Sequence, residues 1–155
     1  VPGRKGIDGL DLEVLIGPAY VAEFTADFEI TAEDLQALDL PAGTTRLLCK
    51  TKNSKHWQDP AHTFDREFVG LSTGAAEWLV EHEIKLIGVD YLGVERYEMV
   101  DRGAPAHHIL LSADMVILEG LDLSQVPPGA YQFIGLPVKI QNGDGAPGRA
   151  ILIEE

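Results

Sequence analysis

The sequence predicts a single mixed α/β domain, and three observations lead there. The chain has 155 residues, the size of one domain. Hydrophobic residues make up 45% of it, enough for a sizeable core and too many for a disordered chain. Apolar runs of strand length alternate with stretches of helical spacing, with no internal repeat, low-complexity tract or linker between them.

Each element has its own local reason. Residues Val1 to Asp11 read as irregular, with Gly3, Gly6 and Gly9 in quick succession. Val14 to Phe28 holds two short apolar runs around Gly17-Pro18 and reads as a strand pair, or as a strand broken by a turn. Thr31-Ala32-Glu33-Asp34 has the Thr-x-x-Asp form of a helix start, an acidic relative of the capping box. The short helix that follows runs toward Leu38 and stops before Pro41. Thr45 to Lys50 reads as a strand, and the polar stretch Asn53 to Asp65 as a loop.

Ser72 to His82 places Ala75, Ala76, Leu79 and Val80 on a helical stripe, with Ser72 as its cap. Lys85 to Asp90 holds a continuous apolar run ending in a carboxylate, the pattern of a buried strand. Pro105 to Leu123 contains a short turn or helix and then a strand at Met115 to Leu118. Tyr131 to Ile140 and Arg149 to Ile153 are two more strands. Asn142-Gly143-Asp144-Gly145 between them resembles a phosphate or calcium loop but completes neither pattern, and reads as a tight turn.

Charge narrows the partners. Acidic residues outnumber basic ones 25 to 12, for a formal net charge of −13. Such a surface repels nucleic-acid phosphates and anionic membranes, so neither is expected as a partner. A bound divalent cation would offset some of the repulsion. No apolar run approaches the ~20 residues of a membrane span. Cys49 is the sole cysteine, so no internal disulfide can form, which agrees with a cytoplasmic location. It sits in an apolar run and reads as a small core residue rather than a nucleophile.

The residues able to bind metals or move protons are His56, His62, His82, His107, His108 and the carboxylates. His82, between two glutamates at the end of a helix, reads as a cation near a helix C-terminus. His107 and His108 are adjacent, and in an extended segment they would face opposite ways, so one of them at most would reach a given ion. Glu119 follows an apolar strand, where a carboxylate needs a partner; that partner is either a structural ion pair or a metal. Trp57, in the polar loop with His56 and His62, either lines a pocket or packs on the domain surface. Zinc takes three or four protein ligands, and no H-x-x-x-H or C-x-x-C pattern completes such a set.

In order along almost the whole chain, a set of short segments is similar to the cyclase family of metal-dependent hydrolases. They include Ile7-Asp8-Gly9-Leu10, Ile16-Gly17-Pro18-Ala19, Thr51-Lys52-Asn53-Ser54-Lys55-His56-Trp57 and Phe68-Val69-Gly70-Leu71-Ser72. Lys85-Leu86-Ile87-Gly88-Val89-Asp90-Tyr91, Ile117-Leu118-Glu119-Gly120-Leu121 and Asp144-Gly145-Ala146-Pro147-Gly148-Arg149 continue the series. The family includes kynurenine formamidases and isatin hydrolases.

The resemblance implies a cyclase-family fold of the swivelling β/β/α-like type over residues 1–155, N-terminally truncated. It implies that His107 and Glu119 are the later metal ligands, and that His108 is a neighbour rather than a ligand. The family's H-x-G-T-H-x-D-x-P-x-H segment, which supplies the other ligands and a catalytic His, is absent; by family order it is expected upstream of Val1. Gly93 stands where many relatives have Ser, and Gly148 where many have Ala. The implied activity is hydrolysis of a small-molecule amide or lactam by a metal-activated water, with zinc or manganese as the ion. The implied assembly is a homo-oligomer, a dimer or tetramer. The rival expectation is a non-catalytic fragment or scaffold of the same fold without a complete metal site.

Overall fold

The computed structural model describes residues 5–61 and 63–154. In chain order a 3₁₀ turn at Ile7–Gly9 leads to α1 (Leu12–Leu15), β1 (Ile16–Glu23), β2 (Glu29–Ile30), α2 (Ala32–Gln36) and β3 (Arg46–Lys50). A 3₁₀ helix at Lys52–Gln58 precedes β4 (Gly70–Leu71), α3 (Thr73–Glu81), β5 (Leu86–Val89), α4 (Tyr97–Val100) and α5 (Pro105–Ser112). The chain finishes with β6 (Val116–Leu118), β7 (Gly129–Pro137) and β8 (Gly148–Ile153).

Six of these strands form one sheet in the order β6-β5-β3-β1-β7-β8. β1, β3, β5 and β6 are mutually parallel, while β7 runs antiparallel to β1 and β8 antiparallel to β7. β5 and the interior of β3, Leu47 to Cys49, are apolar and buried because both faces of these central strands are covered. Alternation sends Leu47, Cys49, Ile87 and Val89 into one core, with Leu35 of α2, Leu79 of α3 and Leu110 of α5. Leu48 and Leu86 face the other way, into a second core with Val21, Phe133, Leu121 and Leu123. β2 and β4 pair separately as a two-stranded parallel sheet.

The predicted helix starts are present. Thr31 accepts from the Asp34 amide at 3.2 Å, and the Asp34 carboxylate accepts from the Thr31 amide at 2.8 Å, a complete capping box. Ser72 caps α3 through the Ala75 amide at 3.1 Å.

Two expectations need correction. Val14 to Phe28 is not a strand pair, because β1 runs straight through Gly17-Pro18. Pairing with β3 starts only at Tyr20, so near Pro18 that side of β1 has no strand among the described residues to receive an amide hydrogen. The buried Arg46 guanidinium fills the space instead. Its Nε donates to the Val14 carbonyl at 2.8 Å, and its other nitrogens donate to the carbonyls of Pro18 at 3.1 Å, of Ile16 at 2.9 Å and of Glu13. Gly17, at φ +142°, leaves room for that guanidinium, which would lie 3.0 Å from any Cβ there. Second, part of the expected loop Asn53 to Asp65 is the 3₁₀ helix Lys52–Gln58, for a reason that belongs to the site.

Candidate functional site

The parallel strands β3, β5 and β6 end at the same edge of the sheet, where open α/β sheets place ligands. The segments leaving that edge build the site. Asp90, the residue after β5, is fully buried. Its carboxylate accepts from the Thr51 amide at 2.7 Å and hydroxyl at 2.9 Å, and from the Ser54 amide at 3.0 Å and hydroxyl at 2.8 Å. Asn53 clasps the Val69 main chain, donating to its carbonyl at 2.8 Å and accepting from its amide at 2.9 Å. These bonds wind Lys52–Gln58 into its 3₁₀ helix and bring Trp57 over the end of β5. The indole Nε1–H donates to the Asp90 carbonyl at 3.0 Å. A Cβ on Gly120 would stand 3.9 Å from the Trp57 ring, so the indole lies beside the residue that follows Glu119.

Glu119 leaves the end of β6 and accepts from the Val94 amide at 2.8 Å. The same oxygen lies 3.4 Å from His107 Nε2. His107 is on α5 rather than in an extended segment, so His108 is turned about 100° away and exposed. The other ring nitrogen, Nδ1, is 2.5 Å from Glu95 Oε1. Glu95 is buried, and its carboxylate also accepts from the amides of Ala106 at 3.1 Å and His107 at 3.2 Å. The His107 pKa is raised from its ordinary value: contact with the Glu119 carboxylate is the largest cause, partial burial opposes it, and Glu95 adds to the rise.

Two residues picked from the sequence, His107 and Glu119, are thus in contact, with the third, Trp57, close by. The side chains of His107 and Glu119 remain 33% and 34% exposed, so the pair faces an open side. A cleft of about 400 Å³ starts at Glu119 and runs past Leu118, Leu121, Val126 and Arg149.

The remaining candidates sit elsewhere. His56 pairs with Asp65 at 3.1 Å and lies against Tyr91. His82 stacks on Trp78 at 3.8 Å and donates to its carbonyl at 2.8 Å, a local role at the end of α3. His62 lies outside the described residues. Cys49 is buried in the core, and burial, with the Asp90 charge adding, pushes its thiol pKa far up. Asn142-Gly143-Asp144-Gly145 is the turn between β7 and β8, held by the Gly143 amide on the Ile140 carbonyl at 3.1 Å.

Two residues of the site, Asp90 and Glu95, were not singled out as site residues from the sequence. Asp90 carried a signal, a carboxylate ending an apolar run. Glu95 carried none: in so acidic a chain one more glutamate between Val94 and Arg96 does not stand out.

Among the described residues no group of three or more His, Cys, Asp or Glu side chains is placed to hold a metal ion. The fit is therefore that of a pair. Two ligands at ~2.1 Å from a tetrahedral zinc stand about 3.4 Å apart, from the bond lengths and the tetrahedral angle. His107 Nε2 and Glu119 Oε1 already have that separation, 3.4 Å.

Against this geometry, the family model described as "Putative cyclase" matches residues 1–96. The chain belongs to this cyclase family. Among its relatives, "Cyclase-like protein 2" of Oryza sativa subsp. japonica is 40% identical over 153 residues, covering 96% of this chain and 54% of that protein. "Kynurenine formamidase" of Geobacillus thermodenitrificans is 37% identical over 150 residues, covering 97% of this chain and 68% of that protein. A solved structure named "The Structure Of Potential Metal-Dependent Hydrolase With Cyclase Activity" superposes with a TM-score of 0.86 at 35% identity, covering 98% of this chain and 72% of that one. The cyclase-family fold expected from the sequence is thus the fold observed. The chain spans about half the length of the cyclase-like proteins it matches.

Proposed function

We propose that this cyclase-family chain carries one side of a divalent-metal centre in a hydrolase of small amides or lactams, with His107 Nε2 and Glu119 Oε1 as two of the ligands. The observation that carries the reading is their 3.4 Å separation on a partly open side of the site. A mixed imidazole and carboxylate pair suits zinc or manganese. When bound, such an ion supplies Lewis acidity toward a carbonyl and lowers the pKa of bound water toward neutrality.

The chain's own residues bind and orient. The Val94 amide holds the Glu119 carboxylate, and α5 holds the imidazole. Trp57 offers an indole face beside Gly120 on which an aromatic substrate would stack. The catalytic proton carrier is assigned to the family's upstream histidine rather than to a residue here. The name of one relative, kynurenine formamidase, supports an amide substrate. In this reading the protein is a cytoplasmic homo-oligomer, a dimer or tetramer, with no nucleic-acid partner. No helix among the described residues is long and apolar enough to cross a membrane.

The test is zinc and manganese titration, with hydrolysis of an aryl formamide and of a lactam, for the protein and its His107→Ala variant. Loss of metal and of rate in the variant is the expected result; unchanged metal content and rate would end the assignment.

A second reading rests on the incomplete ligand set. Here the chain is a scaffold of the fold that binds no metal tightly. Zinc titration of the 155-residue chain separates the two, because tight binding by this chain alone contradicts the scaffold.

A further inference from the structure

Glu95 is a buried carboxylate whose side chain is 1% exposed. The cation next to it in sequence, Arg96, pairs with Glu98 at 3.3 Å instead. A buried carboxylate must be satisfied by donors, and Glu95 has three: the Ala106 amide, the His107 amide and His107 Nδ1. The two amides belong to the first turn of α5. The N-cap residue of that helix, Ala104, has no side chain able to cap, and Pro105 follows it at the first helical position. Glu95 therefore caps α5 from eleven residues upstream.

The third donor matters for the site. The His107 amide and Nδ1 both approach the same oxygen, Oε1, at 3.2 and 2.5 Å, which fixes the ring relative to its own main chain. Both ring nitrogens face carboxylates, which only accept, but Nδ1 is much the closer, 2.5 Å from Glu95 against 3.4 Å between Nε2 and Glu119, so Nδ1 keeps its hydrogen when the ring gives up one proton. In the neutral ring the lone pair is then on Nε2, the nitrogen facing Glu119 and the open side.

We propose that Glu95 is the positioning residue of this site: it locks His107 in the Nδ1–H tautomer and so directs the Nε2 lone pair to where a cation would be held. The proposal rests on the reading that His107 is a metal ligand, and extends it to a residue that would act on the ion only through that ligand. Methionine in place of Glu95 is unbranched and of similar length but offers Nδ1 no acceptor. Glu119 is then the one carboxylate of the pair left facing the ring, and the hydrogen of the neutral ring moves to Nε2.

The test is the ¹⁵N–¹H ring spectrum of His107 in the metal-free protein at alkaline pH, where the neutral ring reports its tautomer. The signal is assigned by its absence in His107→Ala, and zinc titrations run in parallel. The expected results are the Nδ1–H form in the unaltered protein, the Nε2–H form in Glu95→Met, and zinc binding weakened in that variant by roughly 10- to 100-fold. A Glu95→Met protein that melts earlier but keeps the Nδ1–H form would make Glu95 a helix cap only and overturn the proposal. If that variant does not fold, the unaltered protein still decides, since an Nε2–H ring there overturns the proposal by itself. The two readings fail separately. Zinc binding indifferent to His107→Ala removes the metal assignment, whereas zinc binding that needs His107 while the ring is Nε2–H removes only the role of Glu95.

Discussion

Trp57 donates its indole hydrogen to the main-chain carbonyl of Asp90 at 3.0 Å, while the Asp90 carboxylate gathers the loop that carries Trp57. Both ends of one residue thus fix the position of the indole. In Asp90→Asn the new NH₂ would face either the amides of Thr51 and Ser54 or the Thr51 hydroxyl and the Asn53 NH₂, and the bonds to the remaining oxygen would lose their charge. Charge-assisted hydrogen bonds are worth about 1.5–3 kcal/mol each, so a loss of at least about 3 kcal/mol is expected. Urea denaturation checks the loss. Trp57 emission checks the loop, with a red shift expected as the indole becomes solvated.

Cys49 gives a chemical test of the core. Its thiolate is disfavoured first by burial and then by the Asp90 charge. Since the thiolate is the nucleophile, the native protein is expected to resist iodoacetamide at an alkaline pH where exposed cysteines react. After unfolding in guanidinium, labelling is expected to reach one equivalent. Mass spectrometry reads both states, and full labelling of the native protein would contradict the packing of β3 against the helices.

His107 makes metal-free stability depend on pH. Its folded pKa is raised above the unfolded value of about 6.5. The folded state therefore binds the proton more tightly than the unfolded state. This contribution is fully present below the unfolded pKa and is lost as pH rises through the folded one. With EDTA present, the urea-midpoint advantage of the unaltered protein over His107→Gln is expected to be larger at mildly acidic than at alkaline pH. An advantage that grows with pH would reverse the sign of this linkage.

Gly70 lies against the segment that carries Glu95. A Cβ there would sit 2.6 Å from the Glu95 carbonyl carbon and the Arg96 nitrogen and 2.8 Å from the Glu95 Cα, all main-chain atoms. The Leu71 amide also donates to the Val94 carbonyl at 2.8 Å, so the two segments cannot part cheaply. Gly70→Ala is expected to cost about 1–3 kcal/mol through overpacking. It is also expected to shift the His107 ring resonances through the displaced Glu95 main chain. Thermal melting and the ring spectrum check the two effects separately.

What the sequence disclosed divides by range. The caps at Thr31 and Ser72 and the apolar runs of β3 and β5 could be read because a few adjacent residues determine them. The continuity of β1 through Gly17-Pro18 could not, because it depends on Arg46, about thirty residues away. The 3₁₀ helix at Lys52–Gln58 depends on Asp90 in the same way. β2 and β4 have two residues each, too few to show any alternation. At the site, residue type alone made His107 and Glu119 candidates, and family resemblance singled them out. Their approach to 3.4 Å depends on where α5 and β6 dock, and Glu95 became visible only with that docking.

β6 is three residues long and, among the described residues, pairs with a strand on one side only. Edge rungs of a sheet are the first to fray, so a carboxylate hanging from this one would drift with every local opening. The Val94 amide changes that, because it tethers Glu119 to the segment leaving the interior strand β5. Glu95, one residue further along, grips α5. The histidine and the carboxylate thus share a single foundation, and breathing at the rim of the sheet carries them together.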